Sequence, residues 1–214
     1  MTAPDSLLLI SPGCPHCPHL LEALSVLVKD GRIGSLEVVN TAVHPERAAA
    51  LGVRSVPWCR IGPFELEGVR TAAELASWAA RVGTAEGVRS YVVERLKAGA
   101  LAQVEELVAR HPDWLEMLLA LVADPDTELH VRIGLSALFE AFAGSELLRD
   151  LLPALTALAA DADHRVRSDA CHYLALSGSR HALEPLRACL DDPHPEVREI
   201  ARDGVEALRR RGAE

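Results

Sequence analysis

Short apolar runs alternate with amphipathic stretches through the first 83 residues. Leu7-Leu8-Leu9-Ile10 is continuously apolar, as in a strand buried on both faces. Ser11-Pro12-Gly13 breaks it. Leu20, Leu21, Leu24, Leu27 and Val28 then recur at spacings of three and four, which predicts an amphipathic helix ending near Asp30-Gly31. Leu36-Glu37-Val38-Val39 reads as a second strand. His44-Pro45-Glu46-Arg47 opens a short helix, with Pro45 suited to its first turn, and Gly52 stops it. Trp58 to Ile61 and Phe64 to Leu66 are two more short strands around Gly62-Pro63. Thr71 and Glu74 fit a capping box ahead of a helix carrying Leu75, Trp78, Ala79 and Val82. The order β-α-β-α-β-β-α implies an α/β unit with a mixed sheet and a right-handed crossover.

Residues 84–214 show no strand pattern. Pro, Gly and Asp punctuate helical stretches near 86–97, 101–110, 112–123, 127–143, 146–160, 164–177, 180–190 and 194–210. A repeat runs through them. Asp126, Asp161 and Asp192 each stand five residues ahead of Val131, Val166 and Val197. Arg132, Arg167 and Arg198 follow at once, then Leu135, Ala170 and Ala201, then Phe139, Leu174 and Val205. The periods are 35 and 31 residues. The Asp is expected to cap a helix N-terminus. The apolar positions should face the neighbouring unit, and the Arg should pair with the Asp of the adjacent repeat in a ladder. No helix pair buries its apolar face alone, so the units must stack. Two domains are therefore expected, 1–83 α/β and 84–214 all-α.

Charge narrows the partners. The chain carries 22 basic and 31 acidic residues, a net of −9, and residues 84–214 hold −8 of it. Such a body repels phosphate, so neither a nucleic-acid nor an anionic-membrane partner is expected. No run approaches the roughly 20 apolar residues of a membrane helix. The N-terminal apolar run lacks a basic leader and is shorter than the roughly 7–15 residues of a signal-peptide core, so the chain reads as cytoplasmic.

Candidate chemistry sits between the first strand and the first helix, in Cys14-Pro15-His16-Cys17. In a reducing compartment a C-x-x-C pair points to catalysis or metal binding. A cysteine at a helix N-terminus faces unpaired N–H groups and the positive end of the dipole. The Cys14 pKa should therefore fall below the free value of about 8.5. Pro15 is expected in the helix's first turn. His16 should donate to the Cys14 sulfur or, when charged, attract it. Cys17, one turn on, could attack a mixed disulfide at Cys14 and release the product. No cofactor is expected beyond this redox-active Cys14–Cys17 pair.

The strand, the C-P-H-C motif, the following helix and Val56-Pro57 together resemble the thioredoxin fold in its short, glutaredoxin-like form, over residues 6–83. That resemblance implies a cis-proline at Pro57 beside the active site, with the Val56 backbone free to pair with a substrate strand. Pro-His between the cysteines is also found in strongly oxidising, periplasmic members. In a cytosol such a pair would stand mostly reduced, so a dithiol reductant or isomerase is expected. Many thioredoxins carry a buried Asp in the strand before the motif; Leu7 to Ile10 has none, which leaves the proton path unassigned. Cys59, two residues after Pro57, is a possible third thiol, to resolve a disulfide or join Cys14 and Cys17 on a metal; otherwise it packs as a small hydrophobe. The helical half is similar to the short HEAT-like repeats of phycobilisome-lyase-type proteins, which implies an α-solenoid. Cys171, His172, Cys189 and His194 match no compact zinc spacing, so no metal site is expected there. The remaining histidines, His164 among them, carry no assigned chemistry.

The leading expectation is a thiol–disulfide oxidoreductase. It would act on a protein client bearing a disulfide or thiol and be served by an unidentified electron donor. The helical domain would be the docking scaffold. The alternatives are a non-catalytic interaction scaffold and a thiolate metal carrier using Cys14, Cys17 and Cys59.

Overall fold

The structure, a computed structural model, describes residues 3–211. Two compact units part between Val88 and Arg89.

The first unit contains β1 (Asp5–Ile10), α1 (Cys17–Lys29), β2 (Ser35–Asn40), α2 (Pro45–Ala50), β3 (Trp58–Ile61), β4 (Phe64–Glu67) and α3 (Ala72–Arg81). This is the element order that the hydrophobic pattern predicts. The sheet runs β2-β1-β3-β4. β1 is parallel to β2 and antiparallel to β3, and β3 is antiparallel to β4. β1 is thus an inner strand, and Leu7, Leu8 and Leu9 are all buried, which is why its sequence is apolar throughout rather than alternating. Leu7, Leu9, Val39 and Trp58 form one core layer, against which Ala48, Leu51, Val53 and Val56 pack. By the strand alternation Leu8, Cys59 and Leu66, opposite one another in the register, face the other side. The Phe64 ring meets Trp78 of α3 there, at 5.1 Å.

The β3–β4 turn needs its glycine. Gly62 has φ +56°, and a Cβ there would lie 2.9 Å from Val82 Cγ1. The capping box forms: Thr71 Oγ1 accepts from the Glu74 amide at 3.2 Å, and the Glu74 carboxylate accepts from the Thr71 amide at 2.7 Å.

The remaining elements are α4 (Ala85–Lys97), α5 (Leu101–Arg110), α6 (Asp113–Ala123), α7 (Leu129–Ala141), α8 (Glu146–Asp150), α9 (Leu152–Leu158), α10 (His164–Leu176), α11 (Leu183–Ala188) and α12 (Pro195–Arg211). All nine repeated apolar positions, from Val131 to Val205, are buried. Phe139 of α7 stacks on Tyr173 of α10 at 4.2 Å. Gly204 lets α12 come close, since a Cβ there would sit 3.0 Å from the Ala175 Cβ.

Two expected helices differ. The stretch 146–160 breaks at Leu151, which ends α8 and caps α9, with Pro153 in the first turn of α9. Proline lacks the N–H that a continuous helix would use there. The stretch 180–190 is the single short helix α11, flanked by tight turns at Arg180–Ala182 and Cys189–Asp191.

The repeated arginines form one rung of the expected ladder, Arg167 on Asp192, and all three hold loop carbonyls. Arg167 grips Asp192 of the next repeat with Nε and Nη2, at 2.8 and 2.9 Å. Its Nη1 donates to the carbonyls of Asp161 and Ala162 in the loop before its own helix, each at 2.9 Å. Arg198 holds the carbonyls of Asp192 and Pro193 in the same way. Arg132 holds those of Val122 and Asp124, but its carboxylate partner is Asp169 within α10, not the expected Asp161. The repeated Asp also acts earlier than expected. Asp161 and Asp192 accept from the amide two residues on, at 2.8 Å in each case, shaping the loop. The cap of α10 itself is Asp163, which accepts from the Arg165 amide. In the first repeat Asp124, not Asp126, fills the loop role. Arg132 lies eight residues beyond its aspartate, against six in the other two units.

Candidate active site

β1 delivers the chain from the middle of the sheet into the C-P-H-C segment. A turn closes there, with the Cys14 amide donating to the Ser11 carbonyl at 3.2 Å. The regular helix begins at Cys17, with His16 in the capping position. Cys14 and Pro15 thus lie in the turn ahead of α1, which corrects the expected placement of Pro15 in the first helical turn. Pro18 takes that place, where its missing N–H leaves nothing unpaired.

Cys14 and Cys17 are joined by a disulfide, with Cα atoms 5.5 Å apart. Their environments differ. Cys17 is only 4% exposed, whereas Cys14 is half-buried and sits between the exposed Gly13 and the exposed Pro15 and His16. The Cys17 amide, the first N–H of α1, donates to the Cys14 sulfur at 3.1 Å. That group has no partner within the helix and stands at its positive end. It is a built-in donor for a Cys14 thiolate once the pair is reduced. His16 is exposed, and its ring makes no hydrogen bond among the described residues. The expected donation to the Cys14 sulfur is therefore not formed here.

The peptide bond between Val56 and Pro57 is cis. β3 runs antiparallel to β1 and starts at Trp58, opposite Leu9. Val56 and Pro57 thus lie at the same end of the sheet as the C-P-H-C turn. The Pro57 carbonyl accepts from Gly68 at 2.9 Å. The Val56 N–H and carbonyl pair with no other backbone group among the described residues.

Cys59 is fully buried in β3, between Leu8 and Leu66. Burial pushes its pKa up to about 12, against the opposing charge of Arg70, so at neutral pH it is a thiol. β1 places no carboxylate in its buried stretch. The sheet's buried carboxylate is Glu65, on β4 opposite Arg60.

Cys171, His172, Cys189 and His194 are not gathered at one point. Cys171 and Cys189 are buried free thiols. Their mutual hydrogen bond, with burial, holds Cys171 well above the ordinary thiol range. His172 meets Glu140 at 3.1 Å, and His194 stacks on His164.

The family model of the thioredoxin domain matches residues 6–80. Residues 6–80 form a thioredoxin domain. HEAT repeats match residues 139–208, so the thioredoxin domain is followed by an all-helical HEAT region. No curated protein matches the chain. A thioredoxin domain with a C-x-x-C disulfide is consistent with thiol–disulfide redox activity. Among the described residues, no helix is long and apolar enough to cross a membrane.

Proposed function

We propose that the chain is a thiol–disulfide oxidoreductase of protein clients, in which Cys14 attacks, Cys17 resolves and the helical repeats dock the client. The observation that carries this reading is the asymmetry of the pair: a half-buried Cys14 whose sulfur receives the Cys17 N–H, and a fully buried Cys17.

In the reduced protein the Cys14 thiolate attacks one sulfur of a client disulfide. A Cys14–client bond forms, and the other client sulfur leaves as thiolate and takes up a proton. Cys17 then loses its proton and attacks the Cys14 sulfur. The second client thiol is released and the Cys14–Cys17 disulfide results. Two electrons have passed to the client, and a dithiol donor restores the pair. With a client thiol as nucleophile, the same bonds run in reverse. Val56 supports client binding, because its free backbone groups can take an extended strand. Pro57 holds Val56 at the sheet end nearest the motif. Pro15 limits the backbone freedom of the turn, and His16, exposed beside the sulfur, adds positive charge to the approach when protonated. Cys59 is a packing residue in this scheme. A reducing compartment, the cytoplasm, suits a dithiol reductant or isomerase and three further free cysteines.

The test is reduction of insulin disulfides with dithiothreitol as donor. Cys14→Ser should bring the rate down to that of dithiothreitol alone, and reduced Cys17→Ser, freed of dithiothreitol before it meets clients, should accumulate mixed disulfides that added dithiothreitol releases. Reduction faster than with dithiothreitol alone that survives Cys14→Ser overturns the assignment.

A further inference from the structure

Away from the redox pair, the loops leading into α10 and α12 bring two imidazoles and a carboxylate together. His164 opens α10, His194 precedes α12, and Glu196 lies in the first turn of α12. The His164 and His194 rings stack with centroids 3.7 Å apart and planes 27° apart. One donor atom from each of His164, His194 and Glu196 lies within 4.8 Å of the other two. Nδ1 of His194 is sealed from solvent and has no hydrogen-bond partner among the described residues. The Glu196 Oε2 atom stands 4.0 Å away, too far to donate to or accept from it. A recess of about 360 Å³ opens against Asp163, His164, Arg167 and His194.

The neighbouring charges are already used. Asp163 is held by the Arg165 guanidinium and by the Arg165 amide. Asp192 takes both arms of Arg167, so that guanidinium is neutralised by its partner. Glu196 is left as the exposed carboxylate beside the two rings.

We propose that His164, His194 and Glu196 form a binding site for a divalent transition-metal ion of the zinc type, which ties the loop before α10 to the loop before α12. Two imidazole nitrogens and one carboxylate oxygen are a donor set that Zn²⁺ accepts, with a fourth position left to water. At Zn–N distances of about 2.0–2.1 Å, two ring nitrogens on one ion stand about 3.3 Å apart. The donors therefore need to close by about 1.5 Å at most from their present separation. Both rings are half-buried side chains at loop–helix junctions, so rotation about their side-chain bonds achieves this. The ion would unstack the rings and give the orphaned Nδ1 a partner. The site uses none of the residues of the redox proposal and stands or falls separately.

The experiment uses the full, untagged chain with Cys14–Cys17 oxidised, so that the dithiol cannot take the metal. Zn²⁺ is titrated calorimetrically at neutral pH, and the thermal midpoint is read with and without it. One tight equivalent and a raised midpoint are expected. His164→Ala and His194→Ala should each abolish both effects, and His181→Ala should change neither. Glu196→Gln, on an exposed side chain that does not threaten folding, should weaken Zn²⁺ by about tenfold or more, because one of three donors is lost. Co²⁺ in place of Zn²⁺ should give visible d–d bands that vanish in the His194→Ala protein. No stoichiometric uptake by the wild-type chain, or uptake unchanged in His164→Ala, His194→Ala and Glu196→Gln, overturns the site.

Discussion

The chemistry assigned to Cys14 depends on one amide hydrogen and on solvent access, because both thiols share nearly the same stretch of backbone. The Cys17 N–H points at the Cys14 sulfur, whereas no amide meets the Cys17 sulfur among the described residues, and Cys17 is buried. In the reduced chain, iodoacetamide at neutral pH should modify Cys14 much faster than Cys17. The pH dependence of that rate should report a pKa below the free value of about 8.5. Equal rates would remove the basis for naming an attacker. Cys59 makes the opposite case. Its pKa of about 12 means that the folded state resists ionisation, while the unfolded chain ionises near 9.0. Stability should therefore decline as pH rises above 9.0 toward 12, since the unfolded state loses a proton that the folded state keeps. Cys59→Ala should make this decline shallower by the Cys59 share, since the raised Cys171 and Tyr173 keep theirs, cost about 1–2 kcal/mol at neutral pH from the small cavity, and leave disulfide exchange unchanged. Urea unfolding across that pH range checks the first two, and the insulin assay checks the third.

Among the elements, the loop-and-helix joints of the repeats carry two arginine–aspartate pairs of opposite character. Arg167 hydrogen bonds hold the Asp192 carboxyl below the usual carboxylate range. Its contribution is present above the ordinary aspartate pKa and is lost as pH falls through the depressed value. Burial raises the Asp169 carboxyl despite the nearby Arg132 charge. Ionising Asp169 therefore costs stability as pH rises from the ordinary aspartate value toward the raised one. Asp192→Asn, which keeps an oxygen for the His194 amide, should lower stability at pH 7 by about 1–3 kcal/mol, and the deficit should close in acid. Asp169→Asn should cost less at pH 7, with no such closing. These joints also mark where the sequence is readable. Leu7 to Ile10 reads as a strand because both its faces are buried, and the nine repeated apolar positions read as core because they recur at helical spacing. The break at Leu151 does not show, since Pro153 interrupts no apolar periodicity. The arginine contacts to loop carbonyls do not show either, because they depend on backbone direction rather than residue type. His164 and His194 meet only because successive repeats bring residues 30 apart into contact, and no short motif records that distance. At the C-x-x-C motif the residue types mark the cysteine pair but not the helix start at Cys17, because Pro15 and Pro18 suit a first turn equally well.

Across the whole chain, charge and chemistry are divided between regions. The redox motif lies in a stretch of net charge −1, and residues 84–214 carry −8. If the helical region docks the client, it selects for basic proteins and does so through a screened, long-range attraction. That contribution acts before any sulfur meets another, so it belongs in KM rather than in kcat. For a basic disulfide-bearing protein, the full chain should show KM rising with salt while kcat stays level. A chain ending at residue 97, which keeps α4 whole and is first checked for folding by circular dichroism, should show a higher KM at low salt and little further change as salt is added. Both chains should reduce a small aromatic disulfide at rates within about twofold of each other, because that substrate needs only the Cys14 sulfur and no docking surface. A salt-dependent KM retained in the shortened chain would place client attraction on the thioredoxin domain itself and leave the repeats without a docking role.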